Sequence, residues 1–155
     1  MKKEAFQIKD CSFNIRHIQE SDVNDSYYYL LAQLTEINIQ AMDPQKSRDF
    51  INNLDQNHCI FVIEYENTNQ IVATGTLLIE NKLVRNYGKV GHIEDIVVDN
   101  KWRGYGLGKC MVDYLGHISK ERKCYKCILD CSDSNAGFYE KCSYKRNGSQ
   151  MSVYF

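Results

Sequence analysis

A chain of 155 residues with 43% hydrophobic and 25% charged residues can bury a real core, and that balance excludes a disordered or fibrous class. A formal net charge of -1 argues against a nonspecific nucleic-acid binder, which carries a basic excess. The first ten residues are charged and lack the apolar stretch of an export signal, and no apolar run approaches the roughly 20 residues of a membrane helix, so no membrane insertion is expected.

In chain order, residues 13–17 alternate apolar and polar and predict a first strand. Ser21 or Asp22 is placed to cap a helix through residues 27–40, with Leu30, Leu31, Leu34 and Ile37 on one stripe. Asp43-Pro44 predicts a second helix, with Pro44 in the first turn where its missing N–H is not needed. Phe50, Ile51 and Leu54 of that helix are expected to face inward. Residues 59–65 and 71–80 predict two strands joined by the polar run Glu66-Asn67-Thr68-Asn69-Gln70, and residues 90–98 a third after the turn Asn86-Tyr87-Gly88.

Leu107, Met111, Leu115 and Ile118 recur at helical spacing and predict a helix over 107–122. A strand over 123–130 and a short helix over 134–141, capped by Asp133 or Ser134, follow. One or two weak strands around Asn147-Gly148 are expected over 144–155. No repeat, low-complexity tract or linker interrupts this order. It predicts a single α/β domain over 1–155, with a mixed sheet and helices on both faces.

Seven cysteines, an odd number, point to reduced thiols and a cytoplasmic setting. Cys124 and Cys127 form a C-x-x-C, but it lies inside a β-like run, where the two thiols face opposite sides. A zinc knuckle needs a tight turn there, so small buried hydrophobes are the favoured reading and no metal is expected.

The strongest local signal is Arg103-Gly104-Tyr105-Gly106-Leu107-Gly108-Lys109, between a strand and a helix. Glycines at alternate positions let the backbone turn sharply and let N–H groups approach a ligand closely. With a helix N-terminus they make an anion site suited to a pyrophosphate. A P-loop would need Ser or Thr after Lys109, where Cys110 stands. A dinucleotide fold would place the glycine turn after its first strand.

The loop resembles the R/Q-x-x-G-x-G/A loop of the GNAT superfamily of N-acetyltransferases. Three further segments narrow the resemblance to the glucosamine-6-phosphate N-acetyltransferases: Gly91-His92-Ile93-Glu94-Asp95-Ile96-Val97-Val98, Cys124-Tyr125-Lys126-Cys127-Ile128-Leu129-Asp130-Cys131, and Asn135 with Phe138-Tyr139-Glu140-Lys141-Cys142. It spans roughly residues 13–155 and is densest over 74–144.

The resemblance implies the GNAT fold with a splayed central sheet, and transfer of an acetyl group from acetyl-CoA by direct attack, in amino-sugar metabolism. It implies that Ile96, Val97 and Val98 pair with the pantetheine of CoA. Arg103, Gly104, Tyr105, Gly106, Leu107, Gly108 and Lys109 would hold the diphosphate, while Asn135, Tyr139 and Lys141 also contact the cofactor.

Asp130, Glu94 and Asp95 are candidate proton acceptors. By resemblance Asp130 orients or deprotonates the amine, Glu94 and Asp95 contact the sugar, and Tyr139 donates to the departing thiolate. A backbone N–H of residues 96–98 is the expected oxyanion donor. Thr35, Lys82, Arg85, Tyr125 and Lys126 align with sugar and phosphate contacts, part of the pocket coming from a neighbouring subunit of a homodimer.

One departure stands out: Val153-Tyr154-Phe155 replaces a basic residue near the family's C-terminus, with Arg146 the candidate to compensate. His92 is expected to be a buried structural histidine. Two other readings are open: a protein or peptide N-acetyltransferase, and a non-catalytic acetyl-CoA-binding module on the same fold.

Overall fold

Period-two apolar patterning builds one six-stranded sheet in the order β1-β2-β3-β4-β5-β6. The structure, a computed structural model, describes residues 3–155. Strands β1 (Glu4–Ile8), β2 (Cys11–His17), β3 (His58–Tyr65), β4 (Gln70–Asn81) and β5 (Lys89–Val98) form an antiparallel meander. Strand β6 (Cys124–Ile128) joins β5 in parallel after a crossover through helix α4 (Leu107–Glu121). Helices α1 (Asp25–Leu31) and α2 (Pro44–Asn52) cover one face. On the other lie α4 and α5 (Asp133–Lys141), with a single turn, α3 (Val84–Tyr87), between β4 and β5.

Strand β3 shows why the sheet has two covered faces. Cys59, Phe61 and Ile63 pack toward Met111, Leu115 and Ile118 of α4, while Ile60 and Val62 pack toward Tyr27 and Leu30 of α1. This is the expected α/β architecture, with the expected β3, β4, β5, α2 and α4 in place.

Several elements differ from the expectation. A hairpin partner, β1, precedes the predicted first strand. The first helix ends at Leu31 rather than running to residue 40, and its cap is Asn24, whose side chain accepts from Tyr27 N at 3.2 Å. Asp22 is instead a buried partner of Arg16, bidentate at 2.6 and 2.9 Å. Arg16 also reaches Glu64 at 3.1 Å. Phe50 is exposed rather than inward-facing, Ser132 is the N-cap of α5, and residues 144–155 contain no strand.

Two features of β5 position the site. Its pairing with β6 ends at His92↔Ile128, so the edge of residues 93–98 toward β6 has no strand partner among the described residues. On the β4 side, Thr76↔Glu94 is followed by Thr74↔Val97, so Asp95 and Ile96 oppose the single residue Gly75. Asp95 takes a left-handed φ of 53°, as a bulge residue can. A Cβ on Gly75 would lie 2.5 Å from Ile96 Cδ1 and 3.0 Å from Met111 Cγ, so a side chain there would have to displace its neighbours.

Helix α4 is held to β5 by an equally close approach. A Cβ on Gly91 would sit 2.2 Å from Ser119 Oγ and 3.0 Å from Ser119 Cβ. Ser119 Oγ is itself buried without a hydrogen-bond partner. We therefore expect Gly91→Ala to lower unfolding stability by about 1–3 kcal/mol, through overpacking. Adding Ser119→Ala should recover part of that loss in a double-mutant cycle by urea denaturation. An unchanged midpoint for Gly91→Ala would contradict this contact.

Candidate active site

The open edge of β5 leads to the start of α4. There Gly104 and Gly106 hold left-handed φ values of 81° and 84°, and a Cβ on either would meet nothing within 4 Å. These glycines are required by backbone conformation rather than by crowding. Gly106 occupies the N-cap position of α4 and offers no side-chain cap, so the first N–H groups of the helix stay free for an anion. Arg103 folds back, its Nε donating to the Val98 carbonyl at 3.2 Å. Lys109 is ion-paired with Asp113 at 2.6 Å.

This surface fits the diphosphate and extended arm of CoA. The open strand edge offers Ile96 and Val97 backbone groups, and the loop beyond it is concave, glycine-lined and uncapped. Gly108 keeps α5 close to that turn: Phe138 lies 3.3 Å from where its Cβ would be.

Beside the opening, the structure brings Glu94, Asp130 and Tyr139 into one electrostatic neighbourhood. Glu94 is half-buried on β5. Burial first, and then the charges of Asp130 and Asp95, push its carboxyl above the ordinary range, with His92 pulling the other way. Asp130 lies just past the end of β6 and is exposed. Tyr139 is half-buried; desolvation, and after it Cys131, Cys142 and Glu94, raise its phenol. A raised phenol stays protonated at neutral pH and keeps a hydrogen to give. Asn135 shares its helix face at i, i+4, whereas Lys141 lies about 200° around α5 from Tyr139.

Asp95 faces the other side of the sheet. With Thr35, Tyr27, Thr74, Thr76 and Lys46 it lines a cavity of about 550 Å³ under α1 and α2. Most of the remaining lining is apolar, and none of Glu94, Asp130 or Tyr139 reaches it. Glu94, Asp130 and Tyr139 are therefore outside that cavity, on the side of the gap between β5 and β6.

The expected cations gather at the opposite end of the β5–β6 pairing. Lys82 N donates to the Gly88 carbonyl at 2.8 Å, and a Cβ on Gly88 would lie 3.0 Å from both Arg85 and Tyr125. Arg85 and Lys126 lie 5.8 and 5.9 Å from the Tyr125 ring centroid. Lys126 is in register with Val90, so about 13 Å of strand separates this cluster from Glu94.

Lys82 is ion-paired with Glu80, which also holds His92 at 3.0 Å. His92 is thus a partly exposed member of a hydrogen-bonded chain and not a buried structural residue, a link between strands that no local pattern announces. Arg146 pairs at the surface with Asp133 at 2.8 Å and Glu140 at 3.6 Å, beside α5. No group of three or more metal-ligating side chains occurs among the described residues.

The sequence profile of the acetyltransferase (GNAT) family matches residues 21–144. The glucosamine 6-phosphate N-acetyltransferase of Arabidopsis thaliana is 45% identical over 146 residues, 93% of this chain and 97% of that protein. Glucosamine 6-phosphate N-acetyltransferase 1 of Dictyostelium discoideum is 40% identical over 147 residues, 95% of this chain and 94% of that protein. The crystal structure of the Arabidopsis thaliana enzyme superposes with a TM-score of 0.84 at 43% identity, covering 92% of this chain and 98% of that one. With a glycine-lined turn at the foot of a splayed strand and relatives matched over nearly their whole length, the chain belongs to the GNAT acetyltransferase family.

Proposed function

We propose that this chain transfers the acetyl group of acetyl-CoA to the amine of glucosamine 6-phosphate, giving N-acetylglucosamine 6-phosphate and CoA. The observation that carries the reading is the meeting, at the β5–β6 gap, of an open strand edge, an uncapped helix start, two carboxylates and a neutral phenol. The choice of acceptor is supported by the names of the relatives matched over nearly the full chain.

Acetyl-CoA supplies an activated acyl group whose thiolate leaves. The residues of this chain do the rest. Free N–H groups within the turn of residues 104–109, where Tyr105 N is already bonded to the Trp102 carbonyl at 3.4 Å, bind the diphosphate, and backbone groups on the open edge of β5 align the arm as an added strand. Asp130 and Glu94 orient the amine and accept the proton it loses as its nitrogen bonds to the acyl carbon. An amino sugar ionises near neutrality, so a carboxylate or a water it holds is base enough. A backbone N–H on the β5 edge faces the developing oxyanion. Tyr139 gives its hydroxyl proton to sulfur as the C–S bond breaks and regains one from the carboxylate side. No cysteine is needed as nucleophile.

Thr35 and Asp95 meet the sugar from the α1 side, and Lys82, Arg85, Tyr125 and Lys126 serve the phosphate. A second copy completes that end of the pocket. Leu83, Val84, Tyr87 and Tyr125 are exposed apolar side chains beside the cations, and Met151, Val153, Tyr154 and Phe155 are exposed in the tail. Seven unpaired cysteines support a reducing, cytoplasmic setting. No helix among the described residues is long and apolar enough to cross a membrane.

Acetyl-CoA turnover with glucosamine 6-phosphate, glucosamine and a lysine peptide tests the acceptor. Loss of the phosphate contacts should lower kcat/KM for glucosamine by roughly tenfold or more. Equal kcat/KM on all three would remove this acceptor assignment and favour the peptide reading.

A second test concerns Glu94. In an NMR titration of its side-chain carboxyl, the midpoint should lie above the ordinary value of about 4.3, with the proton-accepting form appearing as pH rises through it. Asp130→Asn removes a charge that raises this midpoint, so the midpoint should fall. An unchanged or higher midpoint in the variant would show that the two acids do not share a site.

A further inference from the structure

The β1–β2 hairpin is closed by the pair Ile8↔Cys11, leaving Lys9 and Asp10 as a two-residue turn. Both are left-handed, with φ of 48° and 62°, the conformation in which hairpin turns favour Gly, Asn and Asp. Lysine is disfavoured at the first of these positions, because its Cβ crowds the neighbouring carbonyl. A residue that breaks a local preference invites the question of what its side chain does.

Lys9 is aimed at the glycine turn. Its Nζ lies 4.8 Å from the centroid of the Tyr105 ring, between Gly104 and Gly106. An aromatic chain fixes this geometry. Tyr105 meets Trp102 at 5.2 Å, Trp102 meets Phe13 of β2 at 5.4 Å, and Phe13 stacks with Phe6 of β1 at 5.6 Å. The hairpin tip and the loop are thus parts of one packed cluster, although almost a hundred residues of sequence separate them.

The cation is also uncommitted. Among the described residues no carboxylate pairs with Lys9 or Arg103, whereas Lys109, inside the turn itself, is neutralised by Asp113. An ammonium resting on a ring face keeps its N–H donors available on the side away from the ring. On the reading that the turn binds CoA, the ligand brings several phosphate charges to a place where the loop's own lysine is already paired.

We infer that Lys9, delivered by the β1–β2 hairpin across Tyr105, is a ligand for phosphate oxygens at the nucleotide end of CoA. The two sources of that chemistry are the diphosphate and the 3′-phosphate.

Calorimetric titration of the full chain with CoA and with 3′-dephospho-CoA tests the assignment, using wild type, Lys9→Met and Lys9→Gly. Lys9→Gly suits the left-handed turn better than lysine, so a weakened affinity in that variant cannot come from a disturbed hairpin. Both variants should bind CoA roughly three- to tenfold more weakly at low salt, with the gap closing as salt rises. A gap seen with CoA but not with 3′-dephospho-CoA places the contact on the 3′-phosphate. An equal gap with both ligands places it on the diphosphate. Wild-type affinity in both variants for both ligands overturns the inference while leaving CoA binding intact. Failure of the wild type itself to bind CoA removes the underlying reading, and this inference with it.

Discussion

The site exists because two parallel strands stop pairing. From Lys89 to His92, β5 has hydrogen-bonded neighbours on both sides; beyond His92↔Ile128 it keeps only β4. A strand edge left open inside a sheet is a costly arrangement for a protein unless something else satisfies it. The bulge at Asp95 and the missing side chain at Gly75 let β5 change course without losing its hold on β4. Helix α4, seated against β5 through Gly91 and Ser119, brings its uncapped first turn to the far end of the same opening. An extended ligand with a negatively charged end fits this combination, as the pantetheine arm and diphosphate of CoA do.

Charge is then sorted along the sheet. Lys82, Arg85 and Lys126 gather at one end of the β5–β6 pairing and the acids Glu94 and Asp130 at the other, with Asp95 turned through the bulge toward the α1 side. That separation suits an acceptor with a phosphate at one end and an amine at the other. Glu80 moderates the cationic end by pairing with Lys82, and its other oxygen holds the His92 ring. At the acidic end, partial burial keeps Tyr139 neutral and makes Glu94 a better proton acceptor than an exposed glutamate.

The parts that sequence makes legible are those written in local pattern. Helix α4 announces itself through Leu107, Met111, Leu115 and Ile118, all buried in the structure. Helix α2 is announced by Asp43-Pro44, whose Asp43 side chain accepts from Gln45 N at 2.8 Å. The glycine turn is legible because Gly104 and Gly106 occupy backbone conformations that other residues avoid. What escaped depends on distant partners. Leu34 fits a helical stripe with Leu30 and Leu31, yet it is exposed and the helix has already ended.

Residues 144–155 suggest one or two weak strands, but a strand needs a neighbouring edge, and none among the described residues receives them. The β1–β2 hairpin is not legible in the sequence because Lys9-Asp10 is not a turn sequence that advertises itself. Of the candidate site, Glu94, Asp130 and Tyr139 do come together, and Asp95 with Thr35 lies across the sheet. The Lys109 side chain pairs with Asp113, and Lys141 lies on another face of α5 than Tyr139. The link from Glu80 to His92, and that from Lys9 to Tyr105, are tertiary facts.

The central claim is that the unpaired edge of β5 and the glycine turn bind CoA through their backbone. Amide hydrogen exchange with and without CoA tests it most directly. The account predicts slowed exchange within residues 96–98 and 104–109 when CoA is present, at those amides that the protein itself leaves without a partner. Unchanged exchange across both segments at a saturating concentration of CoA, or protection confined to other parts of the chain, would contradict it.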